Sequence, residues 1–444
     1  MGMDNCPSHT RLAAHRYDIG IRRFTFEIGA AAPARLTCGA RGRPWPLENV
    51  AGFEGERLLN RRKFLAFAGL GMAVTAPGHG ASSAGNGRPG GALPPPRMKL
   101  GCQSGPTTEE HFAFFARYGV RNCSASPVIA EPSRLYPTVD ELKSLVDMAG
   151  RHGVSVDMVD SVLLKSTHID HERNPAIMLA QSPQRDRDIE AFQVLIKNCA
   201  AAAIPAVKYN MSILGVLRTG NVPGRGDTQY AAWRLTDAKP DPPLTRAGIV
   251  NADAFWERIT YFLDRVVPVA AEYKVRLACH PQDPGVPPSG YQGVDRVLGT
   301  VEGLKHFISI RENPYHGLNF CQGTIAEDLP DPRTQIFDVI RYFGERKKIF
   351  NVHFRNIRGH RDDFVETFPD DGDIDFVKAI QVYREVGYDG MIMPDHVPLV
   401  PVKSPRQDYA YNYGSSSPAT DGHLESFAFA YGYIRGLIQS ASLV

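Results

Sequence analysis

Arg276-Leu277-Ala278-Cys279-His280-Pro281 is a short apolar run that closes on an imidazole, and three later runs repeat its plan. Gly317-Leu318-Asn319-Phe320-Cys321-Gln322 closes on a thiol. Ile349-Phe350-Asn351-Val352-His353-Phe354-Arg355-Asn356 carries a second imidazole, and Gly390-Met391-Ile392-Met393-Pro394-Asp395-His396 carries a carboxylate. Each run reads as a buried strand and leads into a helix-like stretch. In a parallel β/α barrel the strand C-termini converge on one rim, where active sites are built. His280, Cys321, His353 and Asp395 would meet there as an open divalent-metal site. Such a site suits an enzyme acting on a polar, oxygen-rich small molecule.

Outward from these runs, the alternation of strand and helix begins at Met98. Strands are expected at 98–103, 120–126, 155–161, 206–210, 276–281, 317–322, 349–356 and 390–395. Helices are expected near 107–118, 138–152, 184–203, 253–273, 301–310, 333–345, 374–387 and 424–439. Thr107-Thr108-Glu109-Glu110, Thr138-Val139-Asp140-Glu141 and Asn251-Ala252-Asp253 supply caps and acidic first turns. Eight such units predict a (β/α)8 TIM barrel over residues 98–440. The insertion at 211–250, with Trp233 and several arginines, is expected to form a lid or rim loop. No repeat at solenoid spacing is visible.

The N-terminal part has another character. Asn60-Arg61-Arg62-Lys63-Phe64-Leu65-Ala66 reads as a twin-arginine export motif, followed by a weakly apolar run over 67–77 and small residues at Ala81-Ser82-Ser83-Ala84. The apolar run is too short to serve as a stable membrane anchor. Residues 57–84 are therefore expected to be a signal segment. Residues 85–97 read as a linker, and 1–56 as a disordered extension or an over-extended start. The expectation is an exported, periplasmic protein, with the twin-arginine machinery as partner, or a cytoplasmic one should the signal not work. Five of the seven cysteines follow the signal, an odd number with no disulfide spacing. That fits folding in a reducing compartment before export.

Net charge is +2 and no basic stripe interleaves with aromatics, so a nucleic-acid partner is not expected. No phosphate loop, nucleophile elbow or dinucleotide fingerprint is present.

Around the four ligand-type residues, strand alternation points Cys279 and His280 to opposite faces, with Cys279 in the core. It puts His353 and Arg355 on one face. His396 lies at the rim beside Asp395 and is a candidate for proton transfer. Arg355 is a candidate to hold an anionic group bidentately, or to pair with a neighbouring acid. Tyr209 and Asn210 end the fourth strand and are candidates to contact hydroxyls. Asp370-Asp371-Gly372-Asp373 has the look of a metal loop, and helix capping accounts for it equally. His168, His171, His306 and His360 read as surface residues.

In combination, Ala278-Cys279-His280-Pro281-Gln282-Asp283-Pro284, His316 through Thr324, Lys348 through Asn356, Asp370-Asp371-Gly372-Asp373 and Met393-Pro394-Asp395-His396 resemble the mannonate dehydratase family, among the xylose-isomerase-like barrels. Val207-Lys208-Tyr209-Asn210 is a weaker match, and the likeness covers about residues 98–440. The resemblance implies dehydration of D-mannonate to 2-keto-3-deoxygluconate. It implies His280, Cys321, His353 and Asp395 as metal ligands, usually of Mn²⁺, and His396 as the acid/base histidine. A thiolate ligand is soft for Mn²⁺, which leaves Fe²⁺, Co²⁺ and Zn²⁺ open. The expected partner is a small sugar acid, with homo-oligomerisation left open. The family tyrosine expected after that histidine has no clear counterpart; Tyr409, Tyr411 and Tyr413 are nearby. Gln282 stands where an acidic residue is expected. In such a reaction, loss of the proton next to a carboxylate builds charge that a divalent metal stabilises. One protein group takes the C2 proton and another protonates the leaving C3 hydroxyl. Two other readings compete. One is an isomerase or epimerase of the same barrel group, which usually uses two strand-end carboxylates, where this chain shows one. The other is a non-catalytic exported sugar-acid binding protein.

Overall fold

A computed structural model describes residues 95–105, 107–287, 289–400 and 421–443. These lie in the second of two units of the chain, Gly87–Val444. The extension, the signal segment, most of the linker and the three tyrosines of the 401–420 stretch fall outside the described residues.

The apolar runs form β1 (Lys99–Ser104), β2 (Asn122–Ala125), β3 (Ser155–Asp160) and β4 (Ala206–Asn210). After a rim hairpin, β5 (Gly220–Pro223) and β6 (Gln229–Arg234), come β7 (Arg276–His280), β8 (His316–Cys321) and β9 (Ile349–His353). A second rim hairpin, β10 (Asn356–His360) and β11 (Asp363–Thr367), precedes β12 (Met391–Met393). Eight of these close a parallel barrel in the order β1-β12-β9-β8-β7-β4-β3-β2. The expected (β/α)8 architecture is thus present.

Helices alternate with the strands: α1 (Glu109–Arg117), α2 (Val139–Arg151), the single turn α3 (Ala176–Leu179), α4 (Gln184–Ala201), α5 (Ala252–Tyr273) and α6 (Val301–Ser309). The short α7 (Gln322–Glu327), α8 (Pro332–Glu345), α9 (Phe376–Glu385) and α10 (Asp421–Ser440) complete the set. Local chemistry sets their starts. Thr138 Oγ1 accepts from Glu141 N while a Glu141 carboxylate oxygen accepts from Thr138 N, a reciprocal cap worth about 1 kcal/mol. Asn251 caps α5 through Ala254 N. No helix among the described residues is long and apolar enough to cross a membrane.

The 211–250 insertion is more ordered than a loop. Its strands β5 and β6 join β10 and β11 in one antiparallel sheet, in the order β10-β11-β6-β5. Trp233 pairs in register with Phe364 across β6 and β11, and its indole meets the Tyr291 ring edge-on at 5.7 Å. This sheet stands on the rim above the strand C-termini and forms one wall of the site.

Candidate metal centre and its charged support

His280, Cys321, His353 and Asp395 reach one point from β7, β8, β9 and the turn after β12. Their potential ligand atoms all lie within 4.8 Å of one another. His353 Nδ1 is 3.3 Å from Asp395 Oδ1, and Cys321 Sγ is 3.6 Å from Asp395 Oδ2. The register explains the convergence. His280 pairs with Asn210 across β4 and β7, and Cys321 pairs with His353 across β8 and β9, so all are at strand ends on the inward side. The alternate residue Cys279 is buried in the core, as expected.

The donors are prepared for a cation. His280 Nδ1 lies 2.6 Å from the Pro281 carbonyl, so it donates there and Nε2 keeps its lone pair for the cluster. Burial pulls the His280 imidazole down to about 4, the neutral form a metal needs. Burial opposes charge on Asp395, but His396, His353 and Arg355 outweigh it and hold the carboxyl well below the usual range. His353 Nδ1 is buried and makes no hydrogen bond. Its other nitrogen, Nε2, faces the Asn319 amide at 3.1 Å, and Asn319 in turn faces Asn351. Asn351 Oδ1 is buried without a partner. Turning both amides over lets Asn319 Oδ1 accept from His353 Nε2–H and Asn319 Nδ2 donate to Asn351 Oδ1. That leaves Nδ1 as the ligand atom and satisfies the orphaned oxygen. Two imidazoles, a thiol and a carboxylate so held fit a divalent transition metal.

Behind the cluster is a charged layer that sequence spacing did not reveal. Arg355 is fully buried. Its Nη1 donates to Glu366 Oε1 at 2.6 Å, and its Nη2 to Asp283 Oδ2 at 2.8 Å and to Thr324 Oγ1. Glu327 Oε1 is 3.0 Å from the same nitrogen. Arg218, from the insertion, joins Asp283 at 2.7 Å and also binds Glu366. Gly323 permits this packing: a Cβ there would meet Arg355 atoms at 2.3–2.8 Å. Arg355 therefore supports the site from behind. Its role as a clamp for a substrate anion is corrected by this geometry, because both terminal nitrogens are occupied by internal partners.

Two guanidinium groups here meet two carboxylates. Burial opposes ionisation of Asp283 and Glu366, but Arg218 and Arg355 outweigh it; Asp283 is held well below its usual range and Glu366 at about 2. Glu327 has the opposite fate. Burial and the nearby Asp283 charge push it well above the usual carboxylate value, which favours its protonated form.

His396 lies on the cavity wall with its side chain 36 % exposed. Glu366 Oε1 is 2.7 Å from its Nδ1 and Arg355 Nη1 is 2.6 Å away. A protonated Nδ1 donates to Glu366, whose oxygen also takes the Arg355 hydrogen; Nε2 is then left for the cavity. Burial lowers the imidazole, but Asp395 and Glu366 more than offset it and hold His396 up to about 9. Its φ of 46° lies in the left-handed region, unusual for a residue with a side chain. Asp283, Glu366 and His396 also cluster closely enough to resemble a cation site. Arg218 and Arg355 already occupy that position.

The cavity has a volume of about 890 Å³. Asn210 lines it. Tyr209 does not: it is buried between Phe192 and Phe262, at ring distances of 5.6 and 5.5 Å. Strand alternation turns it outward to the helices, which corrects its placement as a substrate contact. Gln103, on β1, was not anticipated; its Nε2 donates to Asp395 Oδ1 at 2.9 Å. Gln282 ties two loops together by bonding Met211 O and Leu298 N.

The acidic 370–373 loop pairs with arginines. Asp370 binds Arg225, Asp371 binds Arg358 and Tyr230, and Asp373 binds Arg333. The cap of α9 is Asp375, through Lys378 N. His168 and His306 lie away from the cluster, against Gln292 and Trp256 respectively.

Residues 243–417 match the family described as D-mannonate dehydratase (UxuA). The mannonate dehydratase of Thermotoga petrophila is 28% identical over 306 residues, covering 61% of this chain and 81% of the relative. Mannonate dehydratase 1 of Halalkalibacterium halodurans is 29% identical over 299 residues, covering 60% and 78%. The crystal structure of mannonate dehydratase from Streptococcus suis serotype 2 superposes with a TM-score of 0.63 at 22% identity, covering 78% of this chain and 95% of that one. The last likeness concerns the fold. The matched segment contains His280, Cys321, His353, Asp395 and His396 together, and through it the chain is related to the mannonate dehydratases.

Proposed function

We propose that this protein is a hydro-lyase that dehydrates a sugar acid, with D-mannonate to 2-keto-3-deoxy-D-gluconate as its reaction. One observation carries the reading: a four-donor metal cluster and a carboxylate-held histidine share one barrel rim inside the segment similar to D-mannonate dehydratases. His280, Cys321, His353 and Asp395 hold a divalent metal, with Mn²⁺ the first candidate and Fe²⁺, Co²⁺ and Zn²⁺ the others. The bound metal supplies Lewis-acid stabilisation for charge that develops on the substrate carboxylate.

The chain's own groups do the rest. Gln103 fixes the Asp395 carboxylate through its Nε2. His396 moves a proton at Nε2, oriented by Glu366 at Nδ1. Asn210 and the rim sheet surround the rest of a polyhydroxylated substrate. A group from the 401–420 stretch, where three tyrosines cluster, is the candidate for the second proton. The Arg61-Arg62 motif supports export of the folded, metal-loaded chain.

The test is to incubate the metal-loaded protein with a panel of aldonic acids and assay 2-keto-3-deoxy products. The reading expects turnover of D-mannonate that stops on chelation and returns with metal. Interconversion of keto and aldo sugars without loss of water would instead make it an isomerase.

A further inference from the structure

Lys208 is a cation at the cavity wall for which neither the metal cluster nor the proton-transfer pair has a use. It sits on β4, and alternation that turns Val207 and Tyr209 outward turns Lys208 and Asn210 into the barrel mouth. Its side chain is 12 % exposed. The ammonium donates to Gln103 Oε1 at 2.6 Å and pairs with Asp160 Oδ1 at 3.0 Å. Asp160 is itself fixed by the hydroxyls of Ser124 and Ser126, at 2.9 and 2.8 Å. The Gln103 amide then reaches Asp395 Oδ1, so one amide separates the ammonium from a metal ligand.

An ammonium has three hydrogens. Asp160 and Gln103 take two, and Lys208 lines the cavity beside His280, His353 and Asp395. Burying a lysine costs free energy that one partly exposed aspartate offsets incompletely. A site that pays this cost next to a metal is built for a ligand with negative charge. The ligand set adds to the case. A thiolate and a carboxylate neutralise a divalent ion, and Arg355 and Arg218 are neutralised by Asp283 and Glu366. The metal centre and the two buried arginines therefore present little net charge to an anion, and Lys208, shared with the partly exposed Asp160, adds an ammonium to the cavity wall that His396 also lines.

We propose that Lys208 binds the carboxylate end of the substrate and sets the preference for a sugar acid over an uncharged polyol. This rests on the sugar-acid reading of the same site. As charge grows on the carboxylate while the C2 proton leaves, the ammonium is preset to stabilise it.

The test uses Lys208→Gln, which keeps hydrogen bonding toward Gln103 and Asp160 but removes the charge, and Lys208→Arg, which keeps the charge. Metal content, and binding of D-mannonate and of D-mannitol, are measured on the full metal-loaded chain. Wild type is expected to bind the acid at least about tenfold more tightly than the polyol, a step of about 1.4 kcal/mol. Lys208→Gln should lose most of that preference with metal content unchanged, and Lys208→Arg should retain part of it. An unchanged acid preference in Lys208→Gln overturns the proposal. Loss of metal in that variant also overturns it, since Lys208 would then only position Asp395 through Gln103. Acid-selective binding that depends on Lys208 without any turnover would leave this proposal standing and remove the dehydratase reading.

Discussion

Glu366 Oε1 lies 2.7 Å from His396 Nδ1, and that contact joins the rim sheet to the reacting end of the barrel. Glu366 comes from β11, and Arg218 and Arg355 hold it in place. The carboxylate fixes which nitrogen of His396 faces the cavity. His396→Asn is expected to retain metal and substrate binding while kcat falls by about 10²-fold or more, the usual worth of a positioned acid/base. Exchange of the C2 hydrogen with solvent should slow if His396 is the base. Normal dehydration in the variant would leave His396 with a structural role only, and loss of metal would make it a ligand.

Glu327 gives a pH dependence with a definite sign. Its carboxyl is raised in the folded chain above the ordinary value of 4.5, by burial and then by Asp283. The folded state thus binds a proton that the unfolded state releases above that value. Stability is full below about pH 4.5 and falls as pH rises through the interval up to the raised folded value. Glu327→Gln cannot ionise and imitates the protonated acid. It should match wild type at pH 4 and exceed it at pH 8 in chemical denaturation. A variant less stable than wild type at pH 8 would show that Glu327 serves as an anion for Arg355.

Much of this was legible in the sequence, and the reason is local. Strand ends such as Cys279-His280 and Met393-Pro394-Asp395 carry their ligands within a few residues of an apolar run, so alternation alone places them. The helix starts at Thr138 and Asn251 are equally local. The charged layer was hidden because its members are far apart in the chain: Arg218 meets Asp283 and Glu366 only after β6 pairs with β11, more than a hundred residues later. β5 is short and mostly exposed, and β6 is short with adjacent buried Ala232 and Trp233 that break strict alternation, so their sheet carries little periodicity. Arg355 shares the site-facing side with His353, as alternation implies. Its partners, which decide its role, come from that hidden layer.

Asn319 is the prediction for the shell around the metal. It fixes the outer nitrogen of His353 without touching the cluster itself. Asn319→Ala should weaken metal affinity by about 10- to 100-fold, the common cost of losing such a partner, while excess metal restores turnover. Competition with a chelator of known affinity measures it. An unchanged affinity would mean that β9 alone orients the imidazole.

The export reading rests on Arg61 and Arg62. Replacing both by Lys should hold the full-length chain in the cytoplasm with its leader uncleaved, as seen by fractionation and intact mass. If wild type and variant distribute alike, the basic pair is not a signal.

The central claim is that residues from four strand ends make one metal centre that serves the dehydration. Metal content and turnover in His353→Ala test it together. The account predicts a folded barrel, by circular dichroism, with most bound metal gone and dehydration of D-mannonate nearly abolished. Full metal occupancy in that variant would contradict it.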